Sequence, residues 1–137
     1  MVALVDTSGM IALIDASSAR HGEVRACITE SSELLLVPIT TLPEADYMLT
    51  RHAGPQVALA MLRSIAQGEF QLEGVTGADF SRSIELMEQY AASDIGFVDA
   101  SIVAIAERLR ITRIVTLDQR HFGMFQPRHC PAFEIVP

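Results

Sequence analysis

A chain of 137 residues, half of them hydrophobic and with mean hydropathy +0.31, is long enough for one packed domain and too apolar to be disordered. Its net charge of −7 argues against a simple nucleic-acid-binding surface, because neutralising phosphates favours a basic one. All ten basic side chains are arginine, which excludes a P-loop, Schiff-base chemistry and pyridoxal-phosphate catalysis, since each needs a lysine.

Val2 to Val5 is a short apolar run that ends at Asp6 and reads as a buried parallel strand. Thr7 and Ser8 are expected to cap a helix from Gly9 to Asp15, which Ser17 and Ser18 break. A second helix is predicted over Ala19 to Thr29, and a second buried strand over Leu34 to Pro38. Thr40 and Thr41 open a helix with Pro43 in its first turn, where a missing N–H does no harm. Gly54-Pro55 ends that segment and introduces a helix over Val57 to Gln67. Phe70 to Val75 reads as a weaker strand, and Thr76 to Tyr90 as a helix. Phe97 to Arg110 is the most apolar helix, Ile114 to Thr116 a fourth strand and Phe133 to Val136 a fifth. Strands alternating with helices imply right-handed βαβ units: an α/β chain with a parallel sheet covered on both faces, organised as one domain over residues 1–137.

Several chemistries find no support. There is no GxSxG, no HExxH and no Cys/His cluster. Cys27 and Cys130 match no CxxC pattern and read as free buried thiols of a reducing compartment. No apolar run reaches the roughly 18–20 residues that span a bilayer, and no signal peptide is visible, so a cytoplasmic location is expected.

The acids are more telling. Asp6 and Asp118 directly follow strands, on the rim where parallel sheets bind ligands. Glu44 and Asp99 lie at helix starts. Each has an ordinary explanation. Asp6 is a good N-cap, and Thr41-x-x-Glu44 has the form of a capping box, as does Thr76-x-x-Asp79. Asp118 fits a turn. Asp99 is harder to explain that way. Val103 and Ala106 share its helix face, and a carboxylate beside such surface costs several kcal/mol unless paired, hydrogen-bonded or on a metal. Carboxylates converging on one rim make a site for a hard divalent cation, and that points to chemistry on a phosphodiester. Two such ions would offset four of the seven excess negative charges. Crowding without metal is expected to raise at least one carboxyl pKa.

Four segments together resemble the PIN domain, and more closely the toxin ribonucleases of bacterial type II VapBC toxin–antitoxin pairs. They are VDTSGMIALID, ITTLPEADYML, SDIGFVDASIVAIAERL and ITRIVTLDQRHF. The resemblance implies a three-layer α/β/α fold with a mostly parallel sheet, and an Mg²⁺- or Mn²⁺-dependent endoribonuclease that inhibits translation and growth. By position, Asp6, Glu44, Asp99 and Asp118 fill the family's acidic quartet of catalytic, metal-binding residues. Asp6 and Asp99 are the first choice for direct ligands. Asp94 fits an additional acid, and Thr7, Ser8 and Thr116 match a hydroxyl beside the site. Products with 5′-phosphate and 3′-hydroxyl ends follow from the same likeness, as do a tRNA or rRNA substrate, a VapB-type antitoxin and a homodimer. Ile11 to Ile14 and Val57 to Ile65 are candidate contact surface, with core burial the competing reading. Arg51, Arg113 and Arg120, with His52 and His121, are candidate RNA-backbone contacts or plain surface charge.

Two rivals need residues this chain lacks. A haloacid-dehalogenase-type phosphatase requires DxD and a lysine, and a phospho-acceptor receiver also requires a lysine; the sequence has Asp6-Thr7-Ser8 and none. A catalytically silent PIN-like binding module is the remaining alternative.

Overall fold

The computed structural model describes residues 1–137. Strands β1 (Val2–Val5), β2 (Leu34–Pro38), β3 (Gln71–Glu73), β4 (Arg113–Val115) and β5 (Glu134–Val136) run parallel in the spatial order β3-β2-β1-β4-β5. Seven helices connect and flank them: α1 (Thr7–Ile14), α2 (His21–Ser31), α3 (Thr41–Ala53), α4 (Pro55–Ala66), α5 (Gly77–Gln89), α6 (Phe97–Leu109) and α7 (Gln119–Met124).

The unbroken apolar runs in β1 and β2 follow from burial on both faces. Ala3, Val5, Leu35, Val37 and Val115 pack into one core with Met10, Leu13, Leu49 and Met61 of α1, α3 and α4. Leu4, Leu36 and Ile114 point the other way, into a second core with Leu86, Ile102, Ile105 and Phe122 of α5, α6 and α7. Successive strand residues alternate faces, so a two-sided strand must be apolar throughout. Leu4 is fully buried, and Leu4→Ala would leave a cavity costing about 2–5 kcal/mol. The layers are α/β/α, as the alternation of strands and helices implied.

Strand order fixes where ligands sit. The chain winds from β1 outward to β2 and β3, then crosses back to place β4 and β5 on the other side of β1. The reversal falls between β1 and β4, and the carboxyl ends of these two neighbours flank a crevice of the kind that binds ligands in doubly wound sheets. Asp6 follows the last residue of β1, and Thr116 to Asp118 follow β4.

Several boundaries differ from the sequence reading. Thr7 and Ser8 do not cap α1 but form its first turn, with Asp6 at the cap position. α4 starts at Pro55, which takes the N1 place that suits proline. β3 is only three residues long. Helix α7 was unforeseen. Cys27 and Cys130 are free, as expected, but only half-buried.

One glycine is required by close approach. A Cβ on Gly9 would lie 2.2 Å from the carbonyl oxygen of Val115, so only glycine lets α1 settle against the end of β4. That contact brings Ser8 beside Thr116, whose hydroxyl oxygens are 3.1 Å apart.

Candidate metal centre

Asp6, Glu44, Asp99 and Asp118 line one cleft of about 530 Å³ at the β1/β4 crevice. Thr7, Ser8, Met48, Gly96 and His121 complete most of its wall. Residues far apart along the chain therefore meet as the sequence reading required.

Asp6 is 5% exposed and, although at the N-cap position of α1, makes no cap hydrogen bond. Its Oδ2 instead accepts from the hydroxyls of Thr116 (2.8 Å) and Ser8 (3.3 Å). Those hydroxyl oxygens accept in turn from the backbone N–H groups of Asp118 and Leu117. Two short chains of hydrogen bonds thus aim one carboxylate. Burial still dominates and raises its pKa, with the negative charge of Glu44 adding to the rise.

Glu44 stands in the first turn of α3, exposed and without a side-chain hydrogen bond. The capping-box reading fails here for a geometric reason. The helix is capped at Thr40, so the position that would close a box is Pro43, and Thr41 turns its hydroxyl to the Pro38 carbonyl at 2.8 Å. At α5 the same pattern is real: Thr76 and Asp79 each bond the other's backbone N–H.

Asp99 lies in the first turn of α6, whose residues Ala100 to Ala106 are all buried. Its carboxyl is pushed up to about 6, first by burial and then by the charge of Asp6, with Asp118 and Glu44 adding and His121 opposing. The helix N-terminus favours its charged form by about 0.3–1 kcal/mol, which is too little to cancel this. Ser101 fixes the start of the helix. Its fully buried hydroxyl donates to the Val98 carbonyl (2.7 Å) and is 2.6 Å from the Thr40 hydroxyl, which ties α6 to the start of α3.

Asp118 caps α7, its Oδ1 accepting from the N–H of His121 at 3.0 Å. Its Oδ2 lies 2.8 Å from Nδ1 of the same histidine. Burial works against the charged form of Asp118, but these bonds outweigh it and hold the carboxyl below its ordinary range. His121 is raised in return, mainly by its bond to Asp118. Asp118 is therefore both a cap and a cleft residue. His121, noted in the sequence only as one of several basic residues near acidic segments, belongs to the cleft itself.

Not every candidate converges. Asp94 is exposed, ends a 3₁₀ turn in the left-handed conformation (φ 58°) and is not among the cleft residues. Arg113 sits at the start of β4, at the amino ends of the strands and away from the cleft, where Glu33 and Glu134 hold it; it is no contact for RNA in the cleft. His52 lines a separate hollow beside Ile14 and Val57.

The donors suit a divalent cation. They are carboxylate oxygens with one imidazole, and one donor atom each from Asp99, Asp118 and His121 lie within 4.8 Å of one another. Thr7 supplies an independent sign of a ligand. The residue lines the cleft, and its hydroxyl is buried and has no hydrogen-bond partner. Buried hydroxyls are nearly always satisfied, so an orphan beside the cleft is consistent with a site for a bound group.

Comparison with known proteins gives the family and the fold. The PIN domain family model matches residues 3–124. Ribonuclease VapC26 of Mycobacterium tuberculosis is 33% identical over 134 residues, covering 98% of this chain and 99% of its own. Among solved structures, the M. tuberculosis toxin VapC20, which cleaves the sarcin–ricin loop, superposes with a TM-score of 0.78 at 24% identity, over 85% of this chain and 90% of that one. VapBC2 of Rickettsia felis, solved on a fragment of its promoter DNA, gives 0.72 at 13% identity with full coverage of both chains. The DNA-bound VapBC of Salmonella typhimurium gives 0.70 at 19% identity, over 98% and 97%.

Proposed function

The chain belongs to the PIN domain family, and from that premise we propose that residues 1–137 form one nuclease unit, a metal-dependent endoribonuclease acting as the toxin of a VapBC-type pair. The observation that carries this reading is the meeting of Asp6, Glu44, Asp99 and Asp118 on one cleft at the strand-order reversal, where no lysine exists and no arginine lines the wall. Oxygen-rich donors favour Mg²⁺ or Mn²⁺.

Asp6 and Asp99 would hold the ion, with Glu44 and Asp118 completing the set. When bound, such a cation neutralises charge on the phosphodiester and makes water a nucleophile at neutral pH. The chain's own part is orientation. Ser8 and Thr116 fix the Asp6 carboxylate, Ser101 and Thr40 hold Asp99 at its distance from Glu44, and the capped start of α7 holds Asp118. Thr7, at the cleft wall, has a buried hydroxyl without a partner that a phosphate or water oxygen would satisfy.

A cognate VapB-type antitoxin and a second copy of the toxin are the proposed protein partners. Within the expected contact surface, Leu59 and Leu62 of α4 are exposed, whereas Val57 and Ile65 pack against the core and so fall to the competing reading. No helix is long and apolar enough to cross a membrane.

The test is incubation of purified protein with total RNA in Mg²⁺, in Mn²⁺ and in EDTA, beside Asp99→Ala. Cleavage that needs metal and disappears in the variant is the expected result. RNA left intact in every lane at high enzyme concentration would favour the silent binding module instead.

A further inference from the structure

Asp118 has two carboxylate oxygens and both are engaged. Oδ1 accepts the N–H that starts α7, and Oδ2 faces Nδ1 of His121 at 2.8 Å. Each oxygen keeps a second lone pair, and a cation that takes the one on Oδ2 lies beside the imidazole nitrogen. Either the ring leaves or it becomes a ligand.

Three features favour ligation. The first is spacing. Nδ1 lies 2.8 Å from Oδ2 of Asp118 and 4.0 Å from Oδ2 of Asp99. An octahedral ion with ligands at about 2.1 Å sets adjacent donors roughly 3 Å apart and opposite donors roughly 4.2 Å apart. Both separations need adjustments of only a few tenths of an ångström. The second is the support behind the ring. His121 sits in the first turn of α7 with its backbone N–H bonded to Oδ1 of Asp118 at 3.0 Å, so the helix start holds the ring against that carboxylate. A cation entering between Nδ1 and Oδ2 would displace the proton that Nδ1 donates to the carboxylate and leave its lone pair to bind the ion. The third is the setting. His121 and Thr7, with its unpartnered, buried hydroxyl, line the same cleft, so the pocket has unused binding capacity beyond its acids.

We propose that His121 is a nitrogen ligand of the cation in this cleft, shared with Asp99 and Asp118, and that it tilts the site toward Mn²⁺ and other first-row ions over Mg²⁺. This rests on the reading of the cleft as a metal centre and adds to it a non-acidic ligand. Mg²⁺ is hard and insists on oxygen, whereas first-row divalent ions accept imidazole, with affinity rising from Mn²⁺ onward.

The direct test is pulsed EPR of Mn²⁺ bound to the wild-type protein. A single directly coordinated imidazole nitrogen should modulate the electron spin echo, and the modulation should vanish in His121→Asn. Because the primary signal comes from the wild type, a folding defect in the variant does not blunt the test. Calorimetry supplies the selectivity. His121→Asn should weaken Mn²⁺ binding roughly 10- to 100-fold and Mg²⁺ binding less than about threefold. Bound Mn²⁺ without nitrogen coupling, or equal weakening for the two ions, would overturn the inference. If RNA is still cut with Mn²⁺ in that case, the nuclease reading stands and only the role of His121 falls. If the wild type binds no divalent ion, both fall together.

Discussion

Helix α6 carries an acid near each end, and the two live in opposite circumstances. Glu107, near its C-terminus, has a side chain only 9% exposed, yet its pKa is lowered. Burial acts against the charge there, but two bonds from Arg82 and the N–H of Arg128 outweigh it. Asp99, near the N-terminus, is more open at 22%, yet its pKa is raised to about 6. Asp79 of α5 repeats the first pattern, 3% exposed, held by Arg108 and lowered. Pairing, not depth, separates the two kinds of acid. Glu107 and Asp79 each have an arginine bonded to them; in the cleft, acids face other acids and one histidine, with Arg120 acting on Asp118 without a direct bond. A site left electrostatically uncompensated in the free protein is the kind that a cation can complete.

The contrast is broken most strongly by activity. Asp99→Asn, which keeps the shape and removes the charge, should lower RNA cleavage on the order of 10²- to 10⁴-fold in single-turnover assays, with circular dichroism unchanged. Glu107→Ala is the mirror experiment. It leaves Arg82 largely buried and short of its main partner, and should cost about 2–4 kcal/mol in denaturant unfolding, with cleavage per folded molecule retained. A Glu107 variant that folds normally but loses activity would erase the distinction between the two ends of α6.

Gly9→Ala tests the packing that builds the cleft. The added methyl meets the Val115 carbonyl, and a loss of about 1–3 kcal/mol is expected on chemical unfolding, with activity falling as Asp6 loses its fixed hydroxyl partners.

The smallest effects concern pH. In the unfolded chain Asp99 gives up its proton near 3.8, but in the folded protein only near 6. Between those values the folded state binds more protons, so stability falls as pH rises through the window and levels off above it. The expected loss in EDTA is about 1–2 kcal/mol, discounted for the cleft's contact with water. Asp99→Asn should recover about that much at pH 7.5 and almost nothing at pH 4.5. A stabilisation independent of pH would mean that the charge of Asp99 is not the cause.

Much of this arrangement was legible in the sequence, and the exceptions have physical reasons. Buried parallel strands must be apolar on both faces, so Val2–Val5 and Leu34–Pro38 announced themselves, and the acid after the first marked the rim. Asp99 stood out because its helix offers no polar surroundings. Glu44 was ambiguous, since a capping box and a site acid share one spacing, and only the frame of the helix start, set by Thr40, separates them. Helix α7 was missed because six residues with a glycine among them carry no periodic signal. With it went the placement of His121, although an aspartate three residues before a histidine is a cap pattern that was there to be read. Asp94 misled because proximity in sequence to Asp99 says nothing once a left-handed turn intervenes.

The most direct measurement is calorimetric titration of Mn²⁺ and Mg²⁺ into protein stripped with EDTA and dialysed, for the wild type and Asp99→Asn in parallel. Saturable binding to the wild type, lost or weakened at least tenfold in the variant, is the expected result. Identical isotherms for the two proteins, or no binding to either, would contradict a cleft whose carboxylates converge to hold a cation.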